Sequence, residues 1–225
     1  MKEIEIMHYI AAMQDRLAGT PDFDVEVQYD ESGIIRVLSK NYPNTSATFD
    51  LVRNRVTADS GSRPGAGALN ELLNNDTLLK NATYIVDGHI YVKTDVLGRP
   101  YLFKVNYNRS WSINHDNRPS RKLGKEAMDS DQAGHVIAAA LHGPHERFNI
   151  VPMPWQYNER WCRFQEQMLG GALKELEKSS GDWFMDLRID VSYDGTSLRP
   201  EAIRLEAEID NACGYYSKLS SECVF

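Results

Sequence analysis

The chain has 225 residues, 42% of them hydrophobic and 25% charged, which is typical of a soluble globular protein with one domain or with a catalytic domain and a smaller companion. No apolar stretch approaches the roughly 18 residues of a membrane span, and the first residues lack the apolar run and cleavage site of a signal peptide. The three cysteines have no paired spacing, which argues against a zinc knuckle or a disulfide framework. Free thiols are predicted, although a bridge between Cys213 and Cys223 is geometrically possible.

The charge of the chain is segregated along its length. The formal net charge of −7 by itself argues against a nucleic-acid ligand, because phosphate binding needs cations. However, residues 99–125 contain seven basic residues and one acid, whereas residues 182–225 contain nine acids and four basic residues. This pattern is compatible with two solvated faces of opposite sign or with a binding site for a polyanion.

The first 65 residues are predicted to form a small α+β region of unknown role. Apolar residues at steps of three and four predict an amphipathic helix over residues 4–17. Alternating apolar and polar residues then predict strands over residues 23–29, 34–38, 47–53 and 55–58. The richest cluster of glycine and proline lies at residues 61–67. We therefore place a domain boundary there, which gives an N-terminal region, 1–65, and a second domain, 66–225.

The second domain is predicted to combine helices with antiparallel strands. A short helix is expected over residues 69–79, and strands are expected over residues 82–86, 89–94 and 101–107. The polar segment 108–131 has neither the apolar periodicity of a helix nor that of a strand. This is typical of a surface segment able to follow a phosphate backbone. An apolar run at residues 135–141 predicts a strand, and a helix follows that ends near Gly181. The last elements are predicted as a two-stranded antiparallel pair, 185–193 and 203–209.

The segment between residues 131 and 166 carries the residue types of a hydrolytic site. It reads Asp131-Gln132-Ala133-Gly134-His135-Val136-Ile137-Ala138-Ala139, then Gly143-Pro144, Phe148-Asn149-Ile150-Val151-Pro152-Met153, Tyr157-Asn158-Glu159-Arg160-Trp161 and Glu166. This order and spacing resemble the DNA/RNA non-specific endonuclease family of the ββα-metal (His-Me finger) class, particularly its bacterial polymorphic-toxin branch. The resemblance covers about residues 80–210. It implies an α+β fold: a ββα-metal nuclease domain with antiparallel strands, preceded by the small α+β N-terminal region.

The resemblance implies roles for four residues, and the chemistry of phosphodiester hydrolysis gives reasons for them. The reaction needs a deprotonated water and a cation against the charge that accumulates on phosphorus. His135 would be the general base, because imidazole accepts a proton at neutral pH. Asn158 would be the metal ligand, because its neutral oxygen suits Mg²⁺, with Mn²⁺ as a possible substitute. Glu166 would act on the metal through a water, and Asn149 would brace the loop that positions the base.

The resemblance also predicts substrate contacts and partners. The residues expected to bind the phosphates of DNA and/or RNA are Arg118, Arg121, Lys122 and Arg160. Many relatives outside the toxin branch have an Arg two residues before the base, where this chain has Ala133, so one of these arginines is a candidate replacement. A toxin of this type needs an immunity protein, which we expect on the basic segment 99–125. We expect no membrane partner, and a location in the bacterial cytoplasm or delivery or secretion as an effector.

The same residues have structural interpretations. A single His in an apolar strand is usually a core or surface residue, and an Asn near a helix start is often an N-cap. Trp155 and Trp161 could stack on bases, but Trp161 is in phase with the apolar stripe of its helix. The remaining histidines are interpreted as structural, namely His8, His89, His115, His142 and His145. Two other functions stay open: a relative that binds polyanions without cleaving them, and an interaction protein in which residues 1–65 are the working part.

Overall fold

The computed structural model describes residues 2–17, 25–39, 46–58, 78–108, 130–211 and 216–225. These residues form an α+β structure in which antiparallel strands predominate. The chain divides into two compact units: residues 1–100 with 146–148, and residues 101–145 with 149–225. No helix among the described residues is long and apolar enough to cross a membrane.

The described residues of the first unit form one helix and six strands. Helix α1 (Glu3–Leu17) buries Ile6 and Ile10. The strands follow in chain order and hydrogen-bond in the same order: β1 (Val25–Tyr29), β2 (Ile34–Ser39), β3 (Ser46–Asp50), β4 (Arg55–Ala58), β5 (Thr83–Val86) and β6 (Ile90–Thr94). All neighbours are antiparallel except β4 and β5, which run parallel. The predicted helix and strands of the N-terminal region are confirmed to within a few residues where they are described.

The second unit contains a four-stranded antiparallel sheet with one buried face. Its strands are arranged in the order β7 (Pro100–Asn108), β10 (Trp183–Ser192), β11 (Ala202–Asn211) and β12 (Tyr216–Val224). Every second side chain is buried in β10, in β11 and, from Phe103 onwards, in β7, as expected for a sheet with one wet face. Strand β12 is an edge strand and buries no side chain completely.

Besides the sheet, the described part of the second unit includes a hairpin and a helical segment. Strands β8 (Asp131–His135) and β9 (Ile150–Pro154) pair antiparallel and apart from the sheet. Helix α2 (Trp155–Phe164) follows β9 directly, continues through a π-helical turn, Gln165–Gly170, and ends in α3 (Gly171–Lys178). The predicted apolar stripe of this helical segment is Trp161, Phe164, Met168, Ala172 and Leu176. Trp161 and Leu176 are buried, as predicted, but Phe164 and Ala172 are only half-buried and Met168 is exposed. The prediction is wrong there because the buried face runs through the polar Gln165 to Leu169 and Leu173, which an apolar pattern cannot indicate.

Two other sequence predictions about the second unit are wrong. The run at residues 135–141 is not a strand, because β8 ends at His135 and a 3₁₀ turn occupies Ala139–Leu141. The run is apolar because Val136, Ile137, Ala138 and Leu141 are buried, and periodicity cannot distinguish a buried irregular stretch from a strand. The terminal pair has a third strand, β12, with one exposed and one half-exposed face, and its sequence lacks the apolar alternation that predicts strands.

Other predictions lie outside the described residues. The predicted helix at 69–79 falls mostly there, and so does the boundary between residues 65 and 66. That boundary stays a prediction. Cys162 and Cys223 are free thiols, as predicted, and Cys213 is outside the described residues.

Candidate active site

The hairpin β8–β9 places His135 at the end of a strand. His135 pairs with Ile150 and Gly134 with Val151 in the antiparallel register. His135 is half-buried, whereas Val136 and Ile137, which follow it, are completely buried. The histidine therefore lies where the chain passes from a hairpin into the core.

Asn149 fastens the chain after His135. It is completely buried, and its side chain makes three hydrogen bonds to the backbone. The Ile137 N–H donates to Oδ1 at 2.8 Å, and Nδ2 donates to the carbonyl oxygens of Ile137 at 2.9 Å and of Pro144 at 2.8 Å. The Val136 N–H also donates to the Asn149 carbonyl at 2.9 Å. Asn149 thus fixes both ends of the loop between residues 137 and 144.

The helical segment is hydrogen-bonded to the same stretch of chain. Trp161 Nε1 and Gln165 Nε2 both donate to the Val136 carbonyl, at 2.9 and 3.1 Å. The Ala138 N–H donates to Gln165 Oε1 at 2.9 Å. Trp161 and Gln165 are buried, so the packing interpretation of Trp161 is correct. These bonds hold the helix against the residue that immediately follows His135.

Asn158 is part of a polar stripe on the helix. The N-cap of α2 is Pro154, so Asn158 lies inside the helix and is not its cap. Its Nδ2 donates to Gln132 Oε1 at 3.2 Å, which connects the helix to strand β8. Its Oδ1 accepts a weak hydrogen bond from the Cys162 thiol at 3.5 Å. Burial, together with the charge of Glu166, raises the pKa of the Cys162 thiol to about 11.

Asn158, Cys162 and Glu166 therefore follow one another at four-residue steps on one side of the helix. Residues four apart on an α-helix are neighbours. The effect of Glu166 on Cys162 agrees with that spacing across the start of the π-helical turn. Glu166 is exposed and Asn158 is half-exposed. The stripe offers an amide oxygen and a carboxylate that solvent can reach.

A second histidine contacts His135. His135 Nε2 lies 2.7 Å from His145 Nδ1, and the two rings are nearly perpendicular, at 86° with centroids 4.6 Å apart. Burial and, to a smaller degree, the charge of His145 lower the pKa of His135 to about 4. His135 is therefore neutral at physiological pH, which is the form that can accept a proton.

The donor set suits a hard cation. Among the described residues, no group of three or more His, Cys, Asp or Glu side chains is placed to hold a metal ion, so a zinc site of the usual kind has no basis there. Mg²⁺ prefers oxygen ligands, keeps several of its waters and is commonly held by one or two protein side chains together with a phosphate. The oxygens of Asn158 and Glu166 fit that requirement.

Comparison with known proteins agrees with this geometry. A model of the DNA/RNA non-specific endonuclease family matches residues 80–211, which is more than half of the chain. The chain belongs to this family. Its matched range contains the hairpin, the brace and the helix described above.

Similar curated proteins are found in Staphylococcus aureus. The type VII secretion system protein EssD of strain USA300 and that of strain NCTC 8325 are each 27% identical over 135 residues. The match covers 55% of this chain but only 20% of either relative. The chain therefore spans about a fifth of the length of the curated relatives it matches.

The predicted substrate-binding residues are only partly described. Arg118, Arg121 and Lys122 lie outside the described residues. Arg160 is exposed on α2 and lines a groove of about 400 Å³ with Arg163, Gln167 and Cys223, between the helix and β12. Trp155 is also exposed, at 54%. The helix that carries Asn158 thus also presents Arg160 to solvent.

Three residues near the site were not assigned a role from the sequence. Gln132 contacts Asn158, Gln165 anchors the helix, and His145 contacts His135. Gln132 and Gln165 gave no sequence signal beyond their spacing from His135 and Asn158. His145 was interpreted as structural, because a contact across a ten-residue loop cannot be derived from spacing alone.

Proposed function

We propose that this chain hydrolyses phosphodiester bonds of DNA and/or RNA as a metal-dependent endonuclease without sequence specificity. Membership of the family supports the nuclease activity. The proposal further assigns a ββα-metal site to the hairpin β8–β9 and helix α2, with His135 as general base and Asn158 as the ligand of Mg²⁺.

One observation carries this assignment: the strand that bears His135 and the helix that bears Asn158 are joined by side-chain hydrogen bonds. Gln132 on β8 accepts from Asn158 at 3.2 Å, and Trp161 on α2 donates to the carbonyl that follows His135 at 2.9 Å. A base and a metal ligand must be held in a fixed relation for a single phosphate to meet both. The hydrogen bonds of the hairpin and helix provide such a frame.

The residues of the chain divide the chemistry between them. His135, neutral above about pH 4, takes a proton from the attacking water and so raises its nucleophilicity. Asn158 would hold the cation, with Glu166 acting on it through a bound water, and Asn149 keeps the backbone after His135 from shifting. Arg160 is available to a substrate phosphate on the exposed side of α2. When bound, Mg²⁺ would supply positive charge against the negative charge of the reacting phosphate.

The general base is tested by His135→Ala. We expect its rate of plasmid and RNA cleavage in Mg²⁺ to fall by about 10²- to 10⁴-fold, because that is the usual contribution of a general base. DNA affinity and folding should be nearly unchanged. His8→Ala, at an exposed position of α1, is the matched control and should cleave like the wild type. Wild-type turnover of His135→Ala would exclude His135 as the base, and activity that survives a chelator would exclude metal dependence.

The metal ligand is tested by Asn158→Ala and Asn158→Asp. We expect Asn158→Ala to require more Mg²⁺ for half-maximal cleavage and to recover partly in excess Mg²⁺ or in Mn²⁺, because both cations prefer oxygen ligands. Asn158→Asp keeps an oxygen at the same position and should need less metal than the Ala variant. An unchanged Mg²⁺ response of Asn158→Ala would place the ligand elsewhere.

We further propose that the nuclease acts as a bacterial toxin effector and is neutralised by an immunity protein. The support is the likeness to proteins that are named for type VII secretion, together with the basic segment 99–125. An acidic partner on that segment would associate quickly and compete with nucleic acid. Expression in a bacterial host should arrest growth for the wild type but not for His135→Ala. Equal growth of both strains, with the nuclease expressed and active in extracts, would contradict the toxin proposal.

A further inference from the structure

The contact between His135 and His145 has the geometry of a hydrogen bond. The nitrogens are 2.7 Å apart, and the perpendicular rings allow a ring N–H to point at the lone pair of the other ring. Two nitrogen ligands of a tetrahedral zinc ion, with bonds of about 2.0 Å, would lie roughly 3.3 Å apart. The pair is therefore hydrogen-bonded, with a single proton between the two nitrogens.

The loop that carries His145 is held in place by contacts independent of that pair. The carbonyl of Pro144, next to His145, accepts from Asn149 Nδ2 at 2.8 Å. The Gly143 N–H donates to the Ala138 carbonyl at 3.0 Å. A Cβ at Gly143 would come within 1.8 Å of the Ile137 carbonyl oxygen, so only glycine allows this approach. Because Asn149 also fixes Ile137, one side chain sets the distance between the two histidines.

We propose that His145 is a positioning residue for catalysis: its Nδ1 accepts the Nε2–H of His135, which leaves Nδ1 of His135 as the unprotonated nitrogen that takes the proton from water. This inference rests on the proposed role of His135 as general base. The nitrogen of a histidine that stays free is set by the hydrogen bond that the other nitrogen makes. The alternative is that the shared proton belongs to His145 Nδ1. His135 Nε2 would then accept the hydrogen bond, and the proton of the neutral His135 ring would be on its Nδ1. In that case His135 would have no free nitrogen for the water.

Burial also disfavours a proton on the remaining nitrogen of His135. Together with a smaller contribution from His145, it lowers the pKa of His135. A second proton on the pair would place two N–H groups against each other. The pair therefore holds His135 neutral and in one tautomer.

The test uses His145→Asn and His145→Leu. The Oδ1 of an asparagine takes nearly the place of histidine Nδ1, so His145→Asn keeps an acceptor for His135, whereas leucine removes it. We expect kcat for DNA cleavage to fall about 10- to 100-fold in His145→Leu, the usual effect of losing the partner that orients a histidine, with KM little changed. His145→Asn should recover most of that loss. The matched control is His142→Asn, in the same loop, which should cleave like the wild type.

The readout independent of activity is the ¹⁵N NMR spectrum of the His135 ring. Wild type and His145→Asn should show a hydrogen-bonded Nε2–H and an unprotonated Nδ1 on His135, and His145→Leu should lose the hydrogen-bonded Nε2–H signal. A protonated Nδ1 on His135 in the wild type, or the same ring spectrum in all three proteins, would overturn the proposal. So would wild-type kcat in His145→Leu while His135→Ala is inactive. If His135→Ala itself cleaves normally, the proposed role of His135 as general base is wrong. The NMR spectrum still shows whether His135 Nε2–H is hydrogen-bonded to His145.

Discussion

Replacing Asn149 with alanine should be among the most destabilising single changes near the site. The substitution leaves three backbone groups without their side-chain partner: the Ile137 N–H and the carbonyls of Ile137 and Pro144. Ile137 is completely buried and Pro144 is buried, so solvent cannot replace these bonds without opening the loop. Each buried group left unsatisfied costs about 1–3 kcal/mol. At the lower end of that range, to allow for relaxation, the free energy of unfolding should decrease by about 3–5 kcal/mol.

Urea unfolding followed by tryptophan fluorescence and far-UV circular dichroism measures this loss. Asn106→Ala is the matched control, because Asn106 is exposed on β7 and bonds only to the Asp186 carboxylate in the described structure, so its loss should cost under about 1 kcal/mol. Asn149→Asp should also destabilise, since a carboxylate oxygen would replace the donor that faces two carbonyls. A decrease below about 1 kcal/mol in Asn149→Ala would show that Asn149 does not brace the loop.

Four further outcomes are expected. Arg199→Ala should decrease the free energy of unfolding by about 3–5 kcal/mol, because it leaves the buried Asp131 carboxylate unpaired. Adding Asp131→Asn should recover much of that loss. Urea unfolding of the double variant that shows no recovery would contradict this explanation. Gly143→Ala should cost about 1–3 kcal/mol through backbone crowding and slow DNA cleavage; a stable, fully active variant would refute the crowding. Because the pKa of His135 is lowered to about 4 from 6.5, the unfolded chain binds a proton that the folded chain does not. The wild type should therefore lose stability relative to His135→Gln as pH falls from 6.5 towards 4, by up to about 3 kcal/mol, and parallel stability curves would argue against the lowered pKa. Charge reversal at Arg118, Arg121 and Lys122 in the basic segment should raise the DNA dissociation constant and lower its salt slope by up to about three. Unchanged binding and an unchanged salt slope would mean that the segment is a solvated loop.

Sequence patterns located the regular elements that have one buried face. Alternation in β10 and β11 records a single apolar face, so period alone was sufficient there. In the helical segment the spacing predicted the burial of Trp161 and Leu176 correctly, but it was wrong for Met168, which is exposed. The same reasoning failed for β12, which buries no side chain completely, and for residues 135–141, whose buried side chains follow the end of β8 and are not part of a strand.

The sequence by itself determined the family and the order of its site residues, because His135, Asn149 and Asn158 lie at fixed separations along a strand, a turn and a helix. Local geometry converts such separations into positions: β8 ends at His135, and Asn158 lies in the second turn of α2. The tertiary structure decided everything that depends on side chains meeting across the chain. The approach of His145 to His135, the bonds of Gln165 to residues 136 and 138, and the ion pair of Asp131 with Arg199 join residues from 10 to 68 positions apart. Such contacts follow from how the elements pack, since a separation along the chain does not fix a distance once a loop intervenes.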